Sequence, residues 1–414
     1  MNTGVVDPQA IRALLAEQAQ VVNDGVGYRD SRNSLRLLAS VGWLGLGIPE
    51  RQGGTGGTRL DAIEAIAQTA EDCLTSAFVF WCQRAFAEYL VASDNDKLRQ
   101  ALLPQVVRAD RFGATGLSNA MKHLAGIEAL RVQARWQGQR LRLDGHLPWA
   151  SNSVPGEFLV AVAAETPEGE AIVAVIPANT PGLSRSADLD LLGLRGSNTA
   201  ALTLEGVEVD RTWVLSDRAR QFLPTIRPAF LLLQCGLSLG KARSARRAIR
   251  NTLQTRSQVL RGALQQLDHR YDELATQLRQ LAALSEFSFA ETRHLFEVRI
   301  ALTRLAVDAI TLELEAQGGG AYLNDHATAR RWREVAFLPV LTPSLVQLET
   351  ELARVTPATT GDLAIEPTIS PAIHTPSRTA LTTAPTPALA TGAIPPSIAK
   401  TAASRSPSRS EVRR

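Results

Sequence analysis

Between residues 111 and 209 the spacing of apolar residues changes from helical to alternating, and this change constrains the fold more than any other feature of the chain. Leu130, Val132, Ala134 and Trp136 alternate with Arg131, Gln133 and Arg135. Gln137-Gly138 then supplies a turn, after which Leu141 and Leu143 alternate with Arg140 and Arg142. Period-two patterning on both sides of a glycine turn predicts a half-buried hairpin. Two further apolar runs, 158–164 and 171–176, are joined by Thr166-Pro167-Glu168-Gly169, and 201–209 reads as a last strand. Together they predict a small antiparallel β barrel or sandwich.

Helical spacing flanks this segment. Ile11, Leu14, Leu15, Val21 and Val22 begin it, and Leu35, Leu37, Leu38, Val41 and Leu44 continue it. Pro49 and the glycines between Gly45 and Gly57 break the pattern with a tight loop. After the β segment, Ala242, Ala245, Ile249 and Leu253 mark an apolar helix face. Arg243, Arg246, Arg247 and Arg250 mark a basic one, expected to be a solvated face rather than a phosphate site. A long amphipathic helix over 287–317 stops at Gly318-Gly319-Gly320. The expected architecture is therefore α+β: an N-terminal helical domain (1–110), a central β domain (111–215) and a C-terminal helical bundle (216–355). Residues 356–414 are rich in Pro, Thr, Ala and Ser with almost no aromatics. Such a tail buries too little apolar area to offset its ordering entropy, so disorder is expected there.

Bulk properties exclude several classes. Forty-four basic against 41 acidic residues leave a net charge of +3, too little to point to nucleic acid. The N-terminus lacks a basic region followed by an apolar core, and no uninterrupted apolar run is expected to span a bilayer. Cys73, Cys82 and Cys235 are odd in number and widely spaced, and fit reduced core thiols of a cytoplasmic protein. The six histidines show no ligand spacing, so no metal is expected.

Two polar-aromatic boxes bracket the β segment. One is Trp149-Ala150-Ser151-Asn152; the other is Gly193-Leu194-Arg195-Gly196-Ser197-Asn198-Thr199. With the helix–β–helix order, these boxes resemble the acyl-CoA dehydrogenase superfamily of flavoproteins, over roughly residues 35–353. The resemblance implies an acyl-CoA dehydrogenase-like fold with a four-helix C-terminal bundle, and FAD between the β domain and that bundle. It further implies a homodimer or homotetramer acting on a small-molecule substrate, with an acyl-CoA as one candidate. By the same resemblance, Trp149 packs on the flavin and Ser151 donates a hydrogen bond to it; the alternative is a core Trp beside a turn Ser. Thr115, in Thr115-Gly116-Leu117-Ser118-Asn119, stands where the family has Thr-Glu-Pro. Arg256 stands at the family's FAD-phosphate arginine, with Val259 and Leu260 in place of Phe-Gly. Gly318 and Gly319 match the Gly-Gly turn that meets the adenine half of FAD across a dimer.

The main departure lies further on. Arg330-Arg331-Trp332-Arg333-Glu334 keeps the start of the family's Arg-x-x-Arg-Asp helix. Counting onward places Thr342 where the family has its catalytic Glu, with Ser344 at the hydroxyl position that contacts flavin. A threonine hydroxyl is no general base at neutral pH. The alternative Glu position on the first long C-terminal helix falls on Phe230, leaving only Glu334 or Glu349 to be recruited. No catalytic residue is therefore assigned. Three functions follow: a flavin oxidoreductase on a thioester or other hydrophobic substrate, a flavin monooxygenase or oxidase, or a non-catalytic scaffold.

Overall fold

A computed structural model describes residues 7–25, 31–253 and 258–354; Arg256 and the expected tail lie outside them. Helices α1 (Pro8–Asp24), α2 (Ser31–Ser40), α3 (Arg59–Asp72), α4 (Leu74–Ala92) and α5 (Asp96–Val107) precede the sheet. Local chemistry sets their ends. Asp7 caps α1 by accepting from Gln9 N–H, Pro8 fills the first turn, and Gly25 closes the helix at φ 64°. Thr58 and Asp61 form a reciprocal capping box at the start of α3. Helix α4 is apolar on nearly every side and buried along most of its length, so it is packed against on all faces.

The strands are β1 (Phe112–Thr115), β2 (Val132–Gln137), β3 (Arg140–Ala150), β4 (Phe158–Glu165), β5 (Ala171–Pro177), β6 (Leu183–Arg185), β7 (Ala200–Asp210) and β8 (Val214–Ser216). The expected hairpin is β2–β3, with Trp136 opposite Leu141 and Ala134 opposite Leu143. The sheet is mixed, however, rather than purely antiparallel. Its order is β6-β7-β3-β2-β4-β5-β8, and β1 lies parallel to β4, Phe112 opposite Phe158. The reason is the connection: helix α6 (Ser118–Leu124) and the hairpin intervene between β1 and β4, which gives the long crossover that parallel strands require. Alternation along β4 divides the core in two. Phe158, Val160, Val162 and Ala164 fill the interior of the curled sheet. Leu159, Ala161 and Ala163 join the larger helical core.

Beyond the sheet run three long helices, α7 (Ala219–Leu253), α8 (Arg261–Ala282) and α9 (Phe289–Gln317), then the short α10 (Ala327–Val335) and α11 (Leu345–Arg354). Ser288 and Glu291 cap α9, which stops at Gly318. Helix α7 is the centre of this layer. A Cβ at Gly240 would lie 2.1 Å from the Ala67 carbonyl, and one at Gly236 would lie 2.7 Å from that of Ile63, so both glycines let α3 approach. By length and composition α7 is apolar enough to cross a membrane, but 83% of its most apolar window is buried inside the fold.

The basic stripe on α7 is also different from expectation. Arg243 binds Glu64 and Glu71 of α3, and Arg247 binds Glu71. Arg246 and Arg250 both bind Asp268 of α8, and the Arg246 guanidinium sits 3.8 Å over the Tyr271 ring. The stripe is a seam between helices, each member matched by a carboxylate that helical periodicity alone does not reveal.

A fully buried ion pair ties α10 to α7: Lys241 Nζ donates to Glu334 at 2.9 Å, and Arg330 donates to the same carboxylate at 2.7 Å. Burial pushes the Glu334 carboxyl up, but Arg330 and Lys241 outweigh it and hold the group below the usual glutamate range. A carboxyl depressed in the folded state contributes stability that is present above its unfolded value, about 4.3, and is lost as pH falls through the folded value. Lys241→Met leaves a buried carboxylate short of a partner and should cost about 3–5 kcal/mol in urea unfolding at pH 7. Adding Glu334→Leu should recover little of that loss, because it leaves the nearly buried Arg330 without its carboxylate. A Lys241→Met cost below about 1 kcal/mol would contradict this account of the pair.

Candidate functional site

Where the sheet meets α4, α7 and the α10–α11 segment lies a cavity of about 610 Å³, within the ~300–1,000 Å³ range of small-molecule sites. Its sheet side is hydroxyl-rich: Thr115, Ser118, Ser151, Ser197 and Thr199. Its helix side is aromatic: Phe78, Trp81, Phe230 and Phe337. Trp149 stands at the rim and is 53% exposed. Pro148 explains that placement. It has no N–H for the ladder, and the β3–β7 register breaks between Leu147 and Ala150, an irregularity within β3 that contains Trp149.

A buried hydrogen-bond node brings the two boxes together. Gln83 of α4 donates to the Val106 and Arg111 carbonyls, each at 2.7 Å, and accepts from Gly113 N–H at 2.8 Å. Asn152 donates to the same Gln83 oxygen at 2.9 Å and to the Gly113 carbonyl at 3.1 Å. Asn152 N–H in turn donates to the Ser197 carbonyl, and Ser153 N–H to that of Asn198. Ser31 Oγ donates to Asn198 Oδ1 at 2.7 Å. Asn152 and Asn198 both adopt left-handed backbone, φ 59° and 48°, a conformation Asn tolerates better than most residues. Thr115 N–H donates to the Ser151 carbonyl, so two expected site residues are paired directly. Thr199 Oγ1 donates to Ser151 Oγ at 2.9 Å, which leaves the Ser151 proton available to the cavity.

The far wall is held from behind. Gln234 of α7 donates to the Thr342 carbonyl at 2.8 Å and accepts from Arg299 Nε at 3.1 Å. Arg299 also donates to the Leu338 carbonyl and to Thr303. Burial pushes this guanidinium below its ordinary value, partly offset by Cys235 nearby. Ser344 lines the cavity while its Oγ accepts from Gln347 N–H at the start of α11.

Thr115, Trp149, Ser151, Phe230, Thr342 and Ser344 thus converge on one cavity. Gly318 and Gly319 do not reach it. They sit at the open end of α9, where an added Cβ would meet nothing within 4 Å. Arg195 lies beside the cavity wall and pairs with Asp190. Among the described residues that line the cavity there is no Asp, Glu, His or Cys. Glu334 is committed to Lys241 and Arg330, and Glu349 to Arg304. The three cysteines are free and buried, with burial pushing Cys235 up to about 12. Phe78, Trp81, Phe337, Lys122 and Arg333 also line the cavity and were not expected. For Phe78 and Trp81 the only signal was the unbroken apolar run of α4.

Residues 9–110 match the family described as acyl-CoA dehydrogenase, N-terminal domain. A probable acyl-CoA dehydrogenase, YngJ of Bacillus subtilis, is 22% identical over 74% of this chain and 85% of its own length. Butyryl-CoA dehydrogenase from Megasphaera elsdenii superposes with a TM-score of 0.70 at 17% identity, covering 86% of this chain and 99% of its own. Dibenzothiophene monooxygenase from Paenibacillus sp. superposes with a TM-score of 0.66 at 20% identity, covering 82% and 94%. At such identities these structures establish the shared fold.

The node gives a direct test. Asn152→Ala removes the bonds to Gln83 and Gly113 and places alanine at positive φ, so urea unfolding should show a loss of about 2–4 kcal/mol. Asn152→Gly, which relieves the backbone but not the lost bonds, should cost less. A loss below about 0.5 kcal/mol for Asn152→Ala would mean the node does not hold the wall.

Proposed function

We propose that the chain is a divergent member of the acyl-CoA dehydrogenase superfamily and a flavin-dependent oxidoreductase acting on a hydrophobic substrate. The donor set of the cavity fits FAD: hydroxyls at Thr115, Ser151 and Ser344 face an apolar interior, and the half-exposed Trp149 offers an open ring face at its rim. Among the described residues Thr115 Oγ1 has only the weak Cys82 thiol as a hydrogen-bond partner, 3.9 Å away, so it too can turn to a ligand. In this reading Trp149 packs against the ring system, and Ser151, Thr115 and Ser344 hydrogen-bond its edge. When bound, FAD would supply hydride or electron acceptance; the protein supplies orientation, electrostatics and exclusion of water.

The observation that carries the choice of chemistry is that no carboxylate, imidazole or thiol occurs among the described residues of the cavity lining. Removing a proton α to a thioester calls for a base within hydrogen-bond reach of it. Thr342 offers none, and each nearby glutamate is already paired. We therefore favour the oxygen-using branch, a monooxygenase or oxidase, over α,β-dehydrogenation of an acyl-CoA. Flavin oxidation by oxygen needs no such carboxylate. The dibenzothiophene monooxygenase likeness supports that such a branch occurs on this fold.

Completion of the FAD site by a second subunit is also proposed. The open end of α9 at Gly318–Gly319 supports it, together with the neighbouring Tyr322 and Leu323, both strongly exposed apolar side chains. Arg256 would be the phosphate contact, in a cytoplasmic homo-oligomer.

Titration of FAD into the purified chain, followed by quenching of flavin fluorescence, tests the pocket assignment. Trp149→Leu should weaken binding about fivefold through lost ring packing. Ser151→Ala should weaken it about two- to tenfold through one lost hydrogen bond. Unchanged affinity in both variants would place the cofactor elsewhere.

A further inference from the structure

The cavity has two unlike walls, and the flavin reading assigns a ligand to only one of them. The wall formed by α4, α7 and the segment after α10 is built of rings. Phe78 and Phe337 meet edge to face with centroids 4.8 Å apart, and so do Trp81 and Phe230. Phe78 and Trp81 stack at 5.8 Å. The Trp81 indole N–H donates to the Phe230 carbonyl at 3.1 Å, which fixes the ring orientation from helix to helix.

The wall has depth. Tyr89 stacks behind Phe230 at 6.5 Å and packs against Phe86 at 6.2 Å. Phe78, Trp81, Phe230, Phe86 and Tyr89 are all at most 3% exposed. Interiors so packed have no slack for a further chain of methylenes, and forcing one in would push rings off their rotamers. Their edges and faces nevertheless present an apolar surface with fixed quadrupoles to the cavity, which favours an offset or edge-on partner ring.

We infer that this wall is the substrate-recognition surface, and that it selects a planar aromatic or heteroaromatic compound while excluding straight-chain acyl thioesters. This rests on the flavin reading for the opposite wall. Phe230 and Trp81 are the specificity-determining side chains: bonded and packed edge to face, they close the cavity between α4 and α7 and leave no gap there for an extended chain. Phe78 and Phe337 form the surface on which a flat ring would lie. The lack of a base is in keeping with such a substrate, which has no α-proton to surrender.

The test uses the full-length chain loaded with FAD, with uptake scored first from the flavin absorbance. Indole and butyryl-CoA are then titrated separately, binding being read by calorimetry and by perturbation of the flavin band. Indole should bind and butyryl-CoA should not. Trp81→Leu should weaken indole about three- to tenfold, and Trp81→Phe should restore most of it. Phe337→Leu, at a half-buried position, provides the same comparison should Trp81→Leu fail to fold. Phe230→Ala should open the wall and confer measurable butyryl-CoA binding. A flavin-loaded chain that binds butyryl-CoA at least as tightly as indole overturns the inference, as does one that binds neither, and the flavin reading survives both. A chain that takes up no FAD overturns that reading and the inference with it.

Discussion

The rest of the structure depends on one buried contact, the Asn152 amide on the Gln83 side-chain oxygen. Gln83 belongs to a helix and Asn152 to the end of a strand, 69 residues later. Both are fully sequestered from water, where an unmade hydrogen bond costs about 1–3 kcal/mol. That penalty makes the contact specifying: only one seating of the sheet on α4 satisfies Gln83, Gly113, Asn152 and the Asn198 turn together. Ser151, Ser197 and Thr199 then emerge side by side, joined by hydroxyl-to-hydroxyl hydrogen bonds, with Trp149 at the rim. The hydroxyl-rich wall is a by-product of satisfying the junction.

The opposite wall follows a different logic. Helix α4 is buried all round, so the side that does not carry Gln83 must still be packed, and rings from α7 and the α10–α11 segment do so. The segment bearing Thr342 hangs from Gln234, itself held by the buried cation Arg299. Charged groups near the cavity are thus either engaged in ion pairs, as Glu334 is, or turned to backbone carbonyls, as Arg299 is. Apart from Lys122 and Arg333, each itself paired with a carboxylate, the described lining is apolar or hydroxylic. Such a cavity can hold and polarise a redox cofactor but is poorly equipped to take a proton from carbon.

Much of this was legible in the sequence, for identifiable reasons. The β2–β3 hairpin was visible because its alternation and its glycine turn are local. The end of α9 was visible because three glycines follow it. The convergence of Trp149, Ser151, Thr342 and Ser344 followed from motif order and spacing. The parallel pairing of β1 was not visible, since period-two patterning does not say which strand is the neighbour. Nor was the pairing of the Arg243–Arg250 stripe, because its carboxylates lie on α3 and α8 and helical periodicity reads only one partner. Phe78 and Trp81 escaped because a helix that is apolar on every side offers no face to single out.

The central claim is that this cavity holds flavin but lacks the means to dehydrogenate a thioester. Its most direct test is the anaerobic absorbance spectrum of the FAD-loaded protein before and after butyryl-CoA or a longer acyl-CoA is added. The account predicts an oxidised flavin band that persists, and that is regained rapidly in air after chemical reduction. Bleaching of the band by an acyl-CoA under anaerobic conditions would contradict it and would require a base among groups here found paired.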